Sequence, residues 1–448
     1  MKRPKEGSLQ AGFACADITP AESLPMAGYI YRTEPADGMH DSLHAKAAAF
    51  QCGDTAAVLV SLDLLFVSRG WGTKVREAIE QETGVPFDNI LVAATHTHSG
   101  PDVFSPFATT TDAMSRYEES LFDTCVQVAK KSVESAESAA MKWCSLLSEN
   151  VASNRRNPLQ LTDSGRSVIR VEDASLKVKA HLVSFACHPT VMGPENLKYS
   201  ADLFGVAARE VEEKFPGSVC LMFNGAAADA STRFTRRRQT WPELERLGKK
   251  LARQIVQASR ASTAVKSGTV SAKSTLIAAS FQESPSVAEA EKHLEEVMEK
   301  TRADCRRSRE DGGETPALVR PDLEGAAAQL MISKHGGWKS IFGTTVAEIE
   351  LQVIRVGDII ICGLPGEFFG NRGSDLKNAA LPKFAFIIGY ANGYWGYIVP
   401  PKEAKLGGYE PIMSPIQPSQ EPEIIRQAKA LVKATKKGPS RYKVPCHA

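Results

Sequence analysis

Two histidines one residue apart, His96 and His98, follow an apolar run and lead into Ser-Gly-Pro-Asp within residues 91–102, LVAATHTHSGPD. At an extended strand end, side chains repeat every two residues, so both imidazoles share a face while Thr97 points away. Imidazole nitrogens bind zinc, and two of them on one face are the beginning of a metal site. The same spacing also occurs in hydrogen-bonded strand rims, so the pair gains meaning only with further donors elsewhere.

Such donors stand at the ends of other apolar runs. His188 lies in FACHPT, Glu367 in PGEFFG, Tyr394 and Tyr397 in NGYWGY, and Asp229 and Ser231 close the segment 224–231. In an α/β sheet the residues at strand ends and in the loops beyond them converge on one crevice, so this recurrence predicts a single site. Three histidines and a carboxylate suit zinc with an open position for water or substrate, and zinc generates a hydroxide near neutral pH. Cys187, although beside His188, sits in an apolar run and reads as a buried structural thiol. Ser99 precedes Gly-Pro as a turn residue would, and no Gly-x-Ser-x-Gly elbow or glycine-rich phosphate loop occurs.

Hydrophobic periodicity supplies the elements that must carry these groups. Apolar blocks at 47–67 predict a hairpin and a buried strand, residues 70–84 an amphipathic helix, and 90–95 a second buried strand. A long helix is expected over 114–137, with Leu121, Cys125, Val128 and Val133 on one side. Strands follow at 141–148, 167–172 and 179–186, a helix at 203–214 with Asp202 near its start, and a strand at 219–223. Beyond a helix at 241–258 and a strand at 268–281, the charged stretch 284–332 reads as a peripheral helical hairpin whose loop lies at 310–317. Strands resume at 345–356, 359–364 and 385–390, a long loop spans 391–418, and a helix over 421–436 ends the pattern. The order implies an α/β fold of mixed sheets flanked by helices, a layered sandwich forming one large catalytic domain over residues 1–448.

Composition narrows the class. Hydrophobic content of 43% and charged content of 24% belong to a globular protein of 448 residues with a large core. A net charge of +2, with short basic clusters only at 236–238 and 433–437, gives no nucleic-acid stripe. No apolar run approaches a membrane span and no signal peptide is visible, so a cytoplasmic protein is expected. The nine cysteines are scattered and never spaced C-x-x-C, which argues against a disulfide framework.

ATHTHSGPD, FACHPT, PGEFFG and NGYWGY, together with DITP at 17–20 and HDSLHAKA at 40–47, resemble the catalytic domain of the neutral/alkaline non-lysosomal ceramidases, in the family's order and over nearly the whole chain. The resemblance implies one zinc ion per chain, held by His96, His188, Glu367 and Tyr397. His98 then stands beside the metal and contacts the substrate or its oxyanion. Tyr409, twelve residues after Tyr397, matches a further site tyrosine. Arg155 in SNRRNP matches the family's arginine, with Arg156 an equal claimant. Asp229 and Tyr394 would contact substrate, although a turn or helix cap explains Asp229 equally well. The family's Gly-Asp-Val-Ser-Pro-Asn is here Ala228-Asp229-Ala230-Ser231-Thr232-Arg233, which puts the family role of Ser231 in question.

The implied activity is zinc-dependent hydrolysis of the amide of an N-acyl lipid such as ceramide. The alternatives are another N-acyl or ester substrate, such as an N-acyl amino acid, an acylated sugar or a lactone, or a non-catalytic binding protein with a decayed metal site. Only 39 residues follow Tyr409, so the family's immunoglobulin-like C-terminal domain is expected to be absent.

Overall fold

The computed structural model describes residues 8–160, 166–266, 268–310 and 319–436. Among these, nine strands form one sheet. Strands β1 (Leu9–Asp17), β2 (His44–Cys52), β3 (Thr55–Leu62) and β4 (Ile90–Ala94) make one half. The other half holds β5 (Glu137–Ser145), β6 (Ser167–Asp173), β7 (Val178–Ser184) and β8 (Val219–Phe223). The order is β8-β7-β6-β5-β1-β2-β3-β4, with the short strand Thr263–Ala264 added beside β5. A second sheet runs in the order β9 (Val270–Ser280), β10 (Val346–Val356), β11 (Ile359–Gly363), β12 (Phe384–Ile388).

Alternation along each strand explains the layering. Phe50, Leu59, Leu91, Ile169, Leu182 and Phe223 meet Ile354, Ile361 and Phe386 in one central cluster between the sheets. Their sequence neighbours point outward into three further clusters, each covered by helices, because side chains alternate faces at every residue. Helices α1 (Arg69–Thr83) and α2 (Asp112–Glu134) cover β2–β4, while α3 (Asp202–Lys214) and α4 (Trp241–Arg260) cover β6–β8. On the second sheet, α5 (Val287–Glu310) and α6 (Val319–Lys334) precede β10, and α7 (Gly370–Ala380) and α8 (Glu421–Lys436) seal the outer face. The α/β layered sandwich expected from the sequence is the fold observed.

Local signals set several boundaries. Ser68 accepts the Trp71 N–H at the start of α1, and Gly84 closes it in the left-handed region at φ 71°. Helix α2 stops at Glu134, three residues earlier than its pattern suggested, because Glu137 is already paired with Ala11 in the sheet. Helix α7 falls where no helix was expected. The loop of the hairpin, expected at 310–317, lies from 311 onward outside the described residues. The arms α5 and α6 pack together, and α6 also reaches the site: Tyr31 donates to the Leu323 carbonyl, and Gly325 lies against Tyr409.

Candidate active site

Within the two large sheets three pairs of neighbouring strands run parallel, β3 with β4, β7 with β8 and β11 with β12. Parallel neighbours end on the same side, so their carboxyl ends deliver residues 95–98, 185–188, 224–231, 364–367 and 390–397 to one place. β4 ends at Ala94, and two residues later His96 adopts φ 70°. His96 and His98 therefore meet through a left-handed turn rather than along an extended strand, with ring centroids 4.8 Å apart.

Each histidine is anchored through one ring nitrogen. Nδ1 of His96 lies 2.7 Å from the Leu65 carbonyl, Nδ1 of His98 2.9 Å from the Gly28 carbonyl, and Nδ1 of His188 3.0 Å from the Ala227 carbonyl. A carbonyl only accepts, so these contacts assign the proton to Nδ1 and leave a lone pair on each Nε2. The Nε2 atoms of His96 and His98 face each other at 3.3 Å. Into this group comes Glu367, with Oε2 2.9 Å from His188 Nε2 and Oε1 3.8 Å from His96 Nε2. Glu367 follows Gly366, where an added Cβ would stand 2.7 Å from the Gly396 carbonyl oxygen; a side chain there would close the turn.

The centre has an excess of acceptors. Three lone-pair nitrogens and a carboxylate meet here, His98 half-buried and the others buried, and Oε2 of Glu367 has no hydrogen-bond donor among the described residues. Such a group is repulsive unless a cation or protons neutralise it. Burial disfavours the protonated imidazole and pushes His96 down to about 3, so protons are a poor answer near neutrality. Burial opposes the Glu367 charge, but its buried polar surroundings, the Arg155 cation among them, hold its carboxyl well below the usual range. The donor set therefore fits a divalent cation of the zinc type, and His96, His98 and His188 offer nitrogens within 4.8 Å of one another.

Around this centre stand the tyrosines. Register pairs Glu367 with Tyr397, whose hydroxyl is 3.2 Å from His188 Nε2, while the Tyr394 hydroxyl donates to Glu367 Oε1. Arg155 donates from Nη2 to the Tyr397 hydroxyl at 2.8 Å, with its guanidinium carbon over that ring, 5.5 Å from the centroid. Of the two arginines it is Arg155 that reaches the centre; Arg156 ends on Glu410 and the Gly407 carbonyl. Tyr409 packs edge-on to Tyr397, with centroids 5.9 Å apart.

Asp229 and Ser231 are buried but do not line the cleft. The carboxylate of Asp229 accepts Nδ2 of Asn154 and the N–H of Gly370, the first residue of α7. Ser231 pairs through its backbone with His188, and its hydroxyl accepts the Arg233 N–H. Two residues of the centre carried no signal in the sequence. Tyr390 stacks on His96 at 4.1 Å, inside an apolar strand exit, and Glu410 bonds arginines more than 250 positions away. Cys187 is fully buried, which pushes its thiol up to about 12, as an inert structural cysteine should be.

The centre opens to a cleft of about 1140 Å³. His96, His98, Glu367, Tyr394, Tyr397 and Tyr409 line its floor. Its walls are largely apolar, with Phe66, Phe104, Phe107, Trp338, Phe342 and Trp395 among them.

Fold and centre together define an α/β sandwich with a buried histidine–carboxylate site beneath an apolar cleft. Residues 9–149 match the family described as "Neutral/alkaline non-lysosomal ceramidase, N-terminal", and the chain is related to that family. Neutral ceramidase A of Dictyostelium discoideum is 28% identical over 247 residues, covering 50% of this chain and 35% of that protein. The neutral ceramidase of Pseudomonas aeruginosa is 28% identical over 219 residues, covering 44% of this chain and 32% of that protein. The matched part thus spans about a third of these relatives' length. The crystal structure of the Pseudomonas aeruginosa enzyme superposes with a TM-score of 0.75 at 19% identity, covering 96% of this chain and 75% of the other. A structure described as "Ceramidase complexed with C2" gives 0.74 with the same coverage.

Proposed function

We propose that the chain hydrolyses the amide bond of an N-acyl lipid such as ceramide, with one zinc ion held by His96, His188, Glu367 and Tyr397. The observation that carries this reading is the acceptor-rich centre on the floor of a large apolar cleft. The relatives' printed names, all neutral ceramidases, point to the same substrate class. Residues 1–448 would act as one catalytic unit, with the hairpin at about 284–332 as an insertion.

Zinc in such a donor set supplies a Lewis acid and brings the pKa of a bound water near neutrality. The chain's own residues do the rest. Nε2 of His98, free because Nδ1 is tied to Gly28, takes the proton released as water adds to the carbonyl carbon. It returns that proton to the amide nitrogen as the C–N bond breaks, so an acid and a neutral amine leave. Tyr409 offers its hydroxyl to the carbonyl oxygen as it gains charge, while Arg155 holds and polarises the Tyr397 hydroxyl. Tyr394 fixes the orientation of Glu367. Asp229 and Ser231 support the loops that carry Arg155 and His188, through the Arg155 N–H bond to the Asp229 carbonyl and the pairing of Ser231 with His188. The aromatic walls bury the acyl chain, each methylene contributing about 0.8 kcal/mol.

The test compares hydrolysis of a long-chain ceramide with that of a short N-acyl amide, using wild type and His96→Ala. Ceramide should be preferred, by roughly tenfold for every two methylenes until the cleft is full. His96→Ala should lose both bound zinc and activity. Preference for the short amide, an ester or a lactone would transfer the reading to the other zinc hydrolases. A wild-type protein that binds no zinc and cleaves nothing would support the decayed-site reading, and full zinc retention in His96→Ala would sink the ligand assignment.

A further inference from the structure

Beside Tyr409, in the short helix Tyr409–Ile412, stands a carboxylate that the reaction scheme leaves without a part. Glu410 is 4% exposed, and both of its oxygens are engaged. Oε1 accepts Nε of Arg155 at 2.9 Å, and Oε2 accepts Nη1 of Arg156. Arg156 is itself fastened, donating from Nη2 to the Gly407 carbonyl at 2.8 Å and pairing through Nε with Glu403 at 3.1 Å.

Arg155 and Arg156 follow the short strand Ser153–Asn154 in a bend, and both end on one carboxylate. Burying two neighbouring cations is tenable only with an anion between them. A guanidinium also has fixed fork geometry: when its Nε edge is held, the direction of Nη2 is set. Here that direction is the Tyr397 hydroxyl, 2.8 Å away.

We propose that Glu410 is a positioning residue that aims Arg155 at the Tyr397 hydroxyl, with Arg156 as the anchor that holds Glu410 in place. Glu410 touches no substrate; it acts through Arg155. Its effect on turnover rests on the reading that Tyr397 serves the hydrolysis, but the geometry it sets does not. Because Glu410 and Tyr409 are neighbours, the same anchor also fixes the entry of Tyr409 into the cleft.

Glu410→Gln keeps the side chain's shape and removes its charge. kcat on the N-acyl substrate should fall at least tenfold, while KM stays within threefold. In an Arg155→Met background the same substitution should cost less than a further twofold. A purely structural role predicts instead equal losses in both backgrounds, and that outcome, or a kcat within twofold of wild type, would overturn the proposal. A crystal structure of Glu410→Gln should show Arg155 withdrawn from Tyr397 beyond hydrogen-bond distance; an unmoved Arg155 would equally overturn it. Should wild type cleave no N-acyl substrate, the functional reading fails while the crystal structure still decides the role of Glu410. If Glu410→Gln does not fold, Arg156→Lys loosens the anchor instead, and an Arg155 that then keeps its bond to Tyr397 would count against the proposal.

Discussion

Two buried polar clusters in this molecule are built from similar residues and differ in their accounting of donors and acceptors. At the centre around His96, every Nδ1 is satisfied by a carbonyl, the Nε2 atoms of His96 and His98 face each other with no donor between them, and Glu367 adds a carboxylate. Around Lys46, the ammonium donates to Glu212 Oε1 at 2.6 Å and to the Cys220 carbonyl at 3.0 Å, and Glu212 also accepts the Cys220 N–H. Nearby, Asp63 accepts the His44 N–H. The second cluster closes on itself beside a cavity of about 180 Å³; the first keeps more lone pairs than donors and opens to a cleft more than six times larger. Density of charged residues therefore does not distinguish a site from a strut, whereas an unmet surplus of lone pairs does.

The sharpest way to break this contrast is Glu367→Gln. Zinc at about 100 times its dissociation constant should stabilise wild type by roughly 2.7 kcal/mol. The variant should lose most of that thermal shift together with all detectable hydrolysis; an undiminished shift would show that the carboxylate is not part of the donor set. The converse substitution, Lys46→Met, should lower stability by about 2 kcal/mol, because it strands Glu212, which still reaches some water. Activity per folded molecule should stay within twofold, and a specific loss of turnover would make the Lys46 cluster part of the working site.

A further buried histidine lies outside both clusters. His181 donates or accepts a single bond with Ser259, and burial, aided by Arg170, pushes it down to about 3. Its unfolded value is about 6.5, so between these limits the unfolded chain binds more protons and stability falls as the pH drops. His181→Gln should flatten the pH dependence of the unfolding free energy, measured by urea titration between pH 6.5 and 4, by up to about 1.4 kcal/mol per pH unit. An unchanged slope would mean that His181 keeps its proton on folding.

Much of this was legible in the sequence because the determinants are local. Helix α1 has its capping serine and its closing glycine within its own segment, and the donors stand at the ends of apolar runs that alternate or bury as strands must. What escaped depends on distant partners. Helix α7 begins with glycines that disfavour it, and its first N–H is capped by Asp229, 141 residues away. The choice between Arg155 and Arg156 is made by Glu410, which only the folded chain brings between them. His96 and His98 were expected on one extended face; the left-handed turn that joins them has no local sequence mark.

That turn has company. His96, Tyr390 and Asn392 all hold positive φ, at 70°, 55° and 60°, where strands β4 and β12 give way to the centre. For a side chain other than glycine this conformation costs on the order of 1 kcal/mol or more. Glycine at position 96 would relax the backbone and erase an imidazole in the same stroke. Mutational drift toward a sturdier fold thus runs toward chemical silence here, and the histidine persists in a lineage only while selection for the reaction outweighs that pull.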